Sequence, residues 1–434
     1  MSALATPNQV QNEPSTTKEP TYILHRTPWQ PPVAVSGEGS YIVLEDGTRL
    51  LDAVGGAAVA CIGNSHPKVI RAIKNQLDAI PYVYNMQLAN KPAEALAKKL
   101  VDGSDGAFSL VGFASGGSEA MEGVLKLARQ YYTEINQPQR TNFIARQLSF
   151  HGNTLGTLSL AYHPARRAPY LSLLDEHNFH HVSPAYARRF QGVNETEEEY
   201  VERLRQELED KFIALGPDTV IGSMKSVCVK YGALFILDEV MSGMGRMGTL
   251  HAWQSLGDGA APDLQAVAKG LGGGLQTAST LSQDSGNTGN PLACAAALAV
   301  QEIIEEENLL ENIRVQGAYL GDLLKERLTG PNSLAAPFTF DIRGAGGFWG
   351  VEFDFEQAPA SLDFRGQSFG IAVQAKALLN GLVIMGFSGG SSLDGLKGDH
   401  IILAPAYNIK KEEVENIVDL LVRSVEEVLR DSGL

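Results

Sequence analysis

Gly112-Phe113-Ala114-Ser115-Gly116-Gly117-Ser118-Glu119-Ala120 passes from a short apolar run into a stretch, Ser118 to Tyr132, whose apolar residues recur at helical spacing. Outward from it, short strands alternate with helical stretches. Asn142 to Ala145 reads as the next strand, Thr219 to Gly222 as a later one, and Leu234 to Leu237 as another, which ends on Asp238-Glu239-Val240. This alternation predicts βαβ units and a mostly parallel, doubly wound α/β sheet.

On the N-terminal side, Tyr41 to Leu44, the Asp46-Gly47 pair and Leu50 to Asp52 predict a β-hairpin. Pro67 opens a helix to about Leu77, with Val69, Ile70 and Ile73 on one face. The last hundred or so residues change character. A helix from Leu309 to Leu328, strands at Phe348 to Phe353 and Ile401 to Leu403, and a closing helix from Lys411 to Leu429 predict a smaller α+β domain. The expected division is a flexible tail over 1–20, the N-terminal part of the small domain over 21–64, a large domain over 65–308 and the C-terminal small domain over 309–434.

Composition narrows the class. Of 434 residues, 35 are basic and 50 acidic, so the formal charge of −15 argues against nucleic acid or an anionic membrane surface as a partner. Three separated cysteines, Cys61, Cys228 and Cys294, suggest neither a disulfide framework nor a zinc site. They read as small buried hydrophobes. The first twenty residues have no apolar signal core, and no apolar run reaches the roughly 18 to 20 residues of a membrane span. The cytoplasm is the expected compartment.

Three segments carry chemistry. Gly116-Gly117-Ser118, where a strand hands over to a helix, can present backbone N–H groups to a phosphate, although the same residues also make a plain helix cap. Asp238 ends an apolar strand, where ligands of open α/β sheets bind. A magnesium-binding acid is the competing use of such a carboxylate, but the chain has no GxxxxGK[ST] loop. Lys269 closes the run Leu264-Gln265-Ala266-Val267-Ala268 and opens Gly270-Leu271-Gly272-Gly273-Gly274. Partial burial there lowers an amine's pKa and frees it as a nucleophile toward carbonyls; a surface lysine beside a flexible loop is the plainer alternative. The glycines after it lack G-x-G-x-x-G spacing, which counts against a nucleotide-binding Rossmann unit.

Taken in order, these segments resemble the class III aminotransferases, enzymes dependent on pyridoxal 5′-phosphate (PLP) with the type I PLP-transferase fold. The resemblance rests on Gly117-Ser118-Glu119-Ala120, Phe150-His151-Gly152, Asp238-Glu239-Val240 with Gly243-Met244-Gly245-Arg246, and Pro262-Asp263 with Ala268-Lys269-Gly270. Gly63-Asn64-Ser65-His66-Pro67 and Arg343-Gly344 with Gly346 extend it over nearly the whole chain after the tail. It implies that Lys269 holds PLP as a Schiff base, the internal aldimine, and afterwards serves as the proton-moving base. Asp238 would pair with the pyridine nitrogen, Val240 and Phe150 would pack on the ring, and Gly117 and Ser118 would bind the phosphate. His151 would touch the cofactor or support its neighbours. The implied reaction moves an amino group from an amine or amino acid to a 2-oxo acid, in a homodimer.

The chain departs from the family pattern in two places. Only about ten residues, Ser223 to Gly232, remain for the crossover before the strand ending at Asp238, fewer than the dozen or so that parallel strands usually need. Leu275 to Gly289 is short and Ser/Thr-rich, and leaves Thr288 as the remaining phosphate ligand from a neighbouring subunit. Met241 stands where many members have a Gln, and near Gly398-Asp399-His400 no arginine clamps a carboxylate, Lys397 being the nearest cation. Alternatives on the same scaffold are a decarboxylase or an aminomutase, or a folded, poorly active member acting as a non-catalytic partner.

Overall fold

The computed structural model describes residues 21–24, 30–216, 218–221, 224–257, 259–274, 278–279 and 289–434. It begins with β1 (Ala34–Glu38), β2 (Tyr41–Leu44) and β3 (Arg49–Asp52). β2 and β3 form the expected hairpin, with Ile42 opposite Leu50. Gly47 turns it at φ +86° while the Asp46 carboxylate accepts from the Thr48 N–H at 2.9 Å. Then follow α1 (Gly55–Ala58), α2 (Pro67–Ala79) and α3 (Lys91–Asp102). Proline in the first turn and a side-chain cap from His66 or Asn90 start the latter two.

The doubly wound part runs β4 (Phe113–Ala114), α4 (Gly117–Glu134), β5 (Asn142–Arg146), α5 (Leu155–Leu160), α6 (Pro164–Arg167), β6 (Phe179–Val182), α7 (Ala187–Phe190), α8 (Glu197–Leu215), β7 (Val220–Ile221), α9 (Lys225–Tyr231), β8 (Ile236–Asp238), β9 (Leu264–Ala266) and β10 (Ala278–Ser279). Its strands hydrogen-bond in three groups: β6-β5-β7 and β8-β9, both parallel, and β10-β4, antiparallel. One apolar cluster unites them beneath α4, because Ala120, Val124 and Ala128 pack with Phe143, Ile221 and Ala266. The short crossover is filled by α9, a seven-residue helix that Gly232 ends in the left-handed region at φ +61°. A connection that cramped still returns the chain to β8.

The remainder runs α10 (Pro291–Glu306), α11 (Leu309–Thr329), β11 (Thr339–Ala345), β12 (Phe348–Phe353), α12 (Phe369–Leu379), β13 (Leu382–Val383), β14 (Met385–Phe387), β15 (His400–Leu403) and α13 (Lys411–Asp431). β11-β12-β15-β14 make an antiparallel sheet, while β13 pairs in parallel with β3 and so joins the N-terminal hairpin to this half. Leu51 and Ile62 accordingly share one core with Leu320, Phe353 and Leu421. α10 packs through Cys294 and Ala297 into a further cluster with Leu96, Phe113 and Val267, and through Val300 and Ile304 into the core of this half. All three cysteines are buried, and burial pushes each thiol up to about 12, as expected of packing residues. Among the described residues no helix is long and apolar enough to cross a membrane.

Candidate active site

The end of β8, the end of β9 and the start of α4 meet. At their junction stands Gly117, where a Cβ would lie 2.7 Å from Val240 Cγ1 and 3.6 Å from the Ala268 methyl. The missing side chain of a glycine lets the start of α4 pack this closely on the Val240 and Ala268 side chains. Chain continuity then puts Asp238 two residues from the junction and Lys269 one residue from it.

Lys269 opens a single 3-10 turn at φ +48°, and its carbonyl accepts from the N–H groups of Gly272 and Gly273 at 3.1 Å each. The glycines that follow therefore hold the lysine's own backbone in an unusual conformation. Its Nζ donates to the Ala57 carbonyl at 2.9 Å. Burial lowers the Lys269 pKa below the ordinary 10.5; the Asp238 carboxylate pulls it back up, and Arg246 adds to the lowering. The amine is thus partly desolvated, as its position in the sequence suggests.

Asp238 is fixed from two sides. One carboxylate oxygen lies 2.8 Å from His151 Nδ1, and the other accepts from the Val240 N–H at 3.0 Å. His151 therefore contacts Asp238 directly. The adjacent Gly152, at φ +139°, passes so near α4 that a Cβ would meet Ser118 Oγ at 2.9 Å. Ser118 Oγ accepts from the Asn153 N–H at 3.1 Å, so its own hydrogen stays available to donate. No side chain caps the start of α4, whose Gly116 is extended, and the first-turn N–H groups can receive an anion.

Phe150 is half exposed, with the Arg166 guanidinium 4.8 Å from its ring centroid. Gly117, Ser118, Phe150, His151, Asp238, Val240 and Lys269 therefore lie along one connected set of contacts and adjacent backbone. Thr288 lies outside the described residues.

Other motif residues serve the scaffold. Glu239 is buried and accepts from the N–H groups of Ala252 and Trp253, at 2.7 Å each, and from Gln265 at 2.6 Å, so it holds the loop after β8. Arg246 is fully buried and donates to the carbonyls of Gly347 at 3.1 Å and Pro405 at 2.6 Å. Met241 packs among Val54, Ala58 and Ala404, where a thioether suits the apolar surroundings. Lys397 pairs with Glu356. Ala57 and Arg166 are the site neighbours that sequence reasoning misses, because only the tertiary fold brings them in.

This arrangement of a desolvated lysine, a strand-end aspartate and an uncapped helix start is that of a type I PLP-transferase fold. The chain belongs to the class III aminotransferase family, which it matches over residues 26–425. It is a PLP-dependent aminotransferase, as members of that family are. An aminotransferase of Gibberella zeae is 39% identical over 91% of this chain and 84% of its own length. An uncharacterised aminotransferase of Schizosaccharomyces pombe is 37% identical over 93% of this chain and 95% of its own length. Among solved structures, the omega transaminase of Pseudomonas jessenii in complex with PMP is similar with a TM-score of 0.82 and 26% identity, covering 93% of this chain and 94% of that one.

Proposed function

We propose that Lys269 carries PLP covalently and that the chain moves an amino group from an amine or amino acid to a 2-oxo acid in two alternating half-reactions. The observation that carries this reading is the meeting, around Gly117, of an amine with lowered proton affinity and a carboxylate held by two donors. Bound PLP supplies the electron sink for the substrate's α-carbon. The protein's residues do the rest. Gly117 and Ser118 bind the phosphate, Val240 and Phe150 pack on the ring, and Asp238 keeps a positive pyridine nitrogen paired while His151 holds its carboxylate in place. Lys269, whose proton affinity burial lowers, would serve as the base that takes the proton from the substrate carbon.

The large cofactor-binding domain in this reading is 65–308, with 21–64 and 309–434 forming the small one. The cytoplasm is the compartment we assign. A homodimer is supported by the apolar side chains of Leu77, Ile80, Tyr82, Tyr84, Met86 and Leu88, all exposed on one short segment. Addition of PLP to the purified chain tests the reading. A visible absorption band that candidate amines bleach is expected, and the band should be missing from Lys269→Ala. A wild-type chain with no band would refute it.

A further inference from the structure

Resting on the aminotransferase reading above, we propose that Gln301, on α10, is a positioning residue for Lys269: its side-chain amide holds the turn that Lys269 opens and so fixes where the amine stands.

A 3-10 turn as short as Lys269–Leu271 ends with carbonyls that need donors from outside it. The Lys269 carbonyl takes the N–H groups of Gly272 and Gly273. The chain then leaves helical geometry at Gly273, φ +56°. Gln301 serves the next two carbonyls: its Nε2 donates to Gly270 at 3.0 Å and to Leu271 at 2.9 Å, which spends both of its hydrogens. The amide thus does for this turn what the N–H groups of a following turn do in a longer helix. The Cys61 thiol adds a weaker bond to the Gly270 carbonyl at 3.3 Å.

Nothing else about its surroundings calls for a polar side chain. Gln301 is 3% exposed, and its buried neighbours on α10 include Ala297, Val300 and Ile304. An amide among such residues costs free energy that its hydrogen bonds must offset, and both of those bonds go to the two residues that follow the reactive lysine. Packing leaves the turn little room besides. A Cβ on Gly270 would stand 2.8 Å from the Tyr407 hydroxyl, and one on Gly273 would stand 3.1 Å from Val300 Cγ2.

Lys269 sits at φ +48°, a conformation that a residue with a side chain keeps only where its surroundings impose it. With the turn pinned to α10, Nζ reaches the Ala57 carbonyl at 2.9 Å and stays partly buried. Released from Gln301, the backbone relaxes and the amine gains water, which favours its charged form. Asp238 and Arg246, the charged groups that act on the amine, are left in place by a change at Gln301.

The test uses the full chain and follows the visible band as PLP is captured across a pH series. Gln301→Met keeps the length of the side chain and removes both donors; Leu324→Ala, in the core beneath α11, is the control for general loss of stability. The capture midpoint of Gln301→Met should move up toward 10.5 by about half a pH unit or more, while Leu324→Ala melts at lower temperature and keeps the wild-type midpoint. An unmoved midpoint in Gln301→Met would overturn the proposal, as would an equal shift in both variants. Should Gln301→Met fail to fold, Gln301→Asn is read the same way, since an amide one methylene shorter cannot span both carbonyls. A wild-type chain with no band counts against the cofactor reading, and the proposal falls with it; a normal band with an unmoved midpoint counts against Gln301 alone.

Discussion

Burial around Lys269 favours the uncharged amine, and the nearby Asp238 only partly reverses this. Because the folded-state pKa lies below the ordinary 10.5, the reactive neutral form appears at lower pH than on a surface lysine. Capture of PLP should therefore speed up as pH rises, with its midpoint below that ordinary value, in stopped-flow traces of band growth across a pH series. A midpoint at or above it would show that the amine is not desolvated. At this scale the sequence was informative where several motifs fall in a fixed order. Lys269, Asp238 and Gly117 each had a plainer reading taken singly, and it was their joint order along the chain that singled them out. The contact of Arg166 with Phe150 could not be read, since the two meet only through the fold.

Elements followed their periodicity closely where the apolar pattern was long. α4, α11 and α13 begin and end within two residues of expectation. The strand before Asp238 starts at Ile236 rather than Leu234. Its first two donors go elsewhere: the Leu234 N–H to the Tyr132 hydroxyl at 2.8 Å and the Phe235 N–H to the Asp263 carboxylate at 2.7 Å. Side chains more than twenty residues away set that boundary, out of reach of a local pattern. Backbone contact between elements was equally hidden. α11 lies so near the turn between β11 and β12 that a Cβ on Gly317 would fall 1.8 Å from the Gly346 carbonyl oxygen. Gly317→Ala should cost about 3 kcal/mol as the helix is pushed off the sheet. Thermal melts of the two proteins measure it, and an unchanged midpoint would contradict so close a contact.

In the whole molecule, the long-range tie that the Gly243-Met244-Gly245-Arg246 motif supplies is a buried cation that bonds main-chain carbonyls and has no carboxylate ion pair among the described residues. Arg246 bonds carbonyls in the turn after β11 and in the segment after β15, and its guanidinium lies 4.6 Å from the Tyr407 ring centroid. Arg246→Ala would leave buried carbonyls unmet and a void, for a loss of about 3 kcal/mol, and Arg246→Met, which fills the space without charge, should lose less. Urea unfolding of the three proteins gives the order, and Met faring as badly as Ala would point to the charge itself. Helices α11 and α13 and strands β12 and β15 were legible in the sequence after residue 300, but the pairing of β3 with β13 was not, because it joins strands more than three hundred residues apart.

Borohydride reduction of the PLP-loaded chain followed by peptide mass mapping tests the central claim most directly, because reduction fixes the cofactor to whichever lysine holds it. The cofactor mass is predicted on the peptide containing Lys269 and on no other. Recovery of the mass on a different lysine, or on none after a visible band has formed, would contradict the assignment of this site.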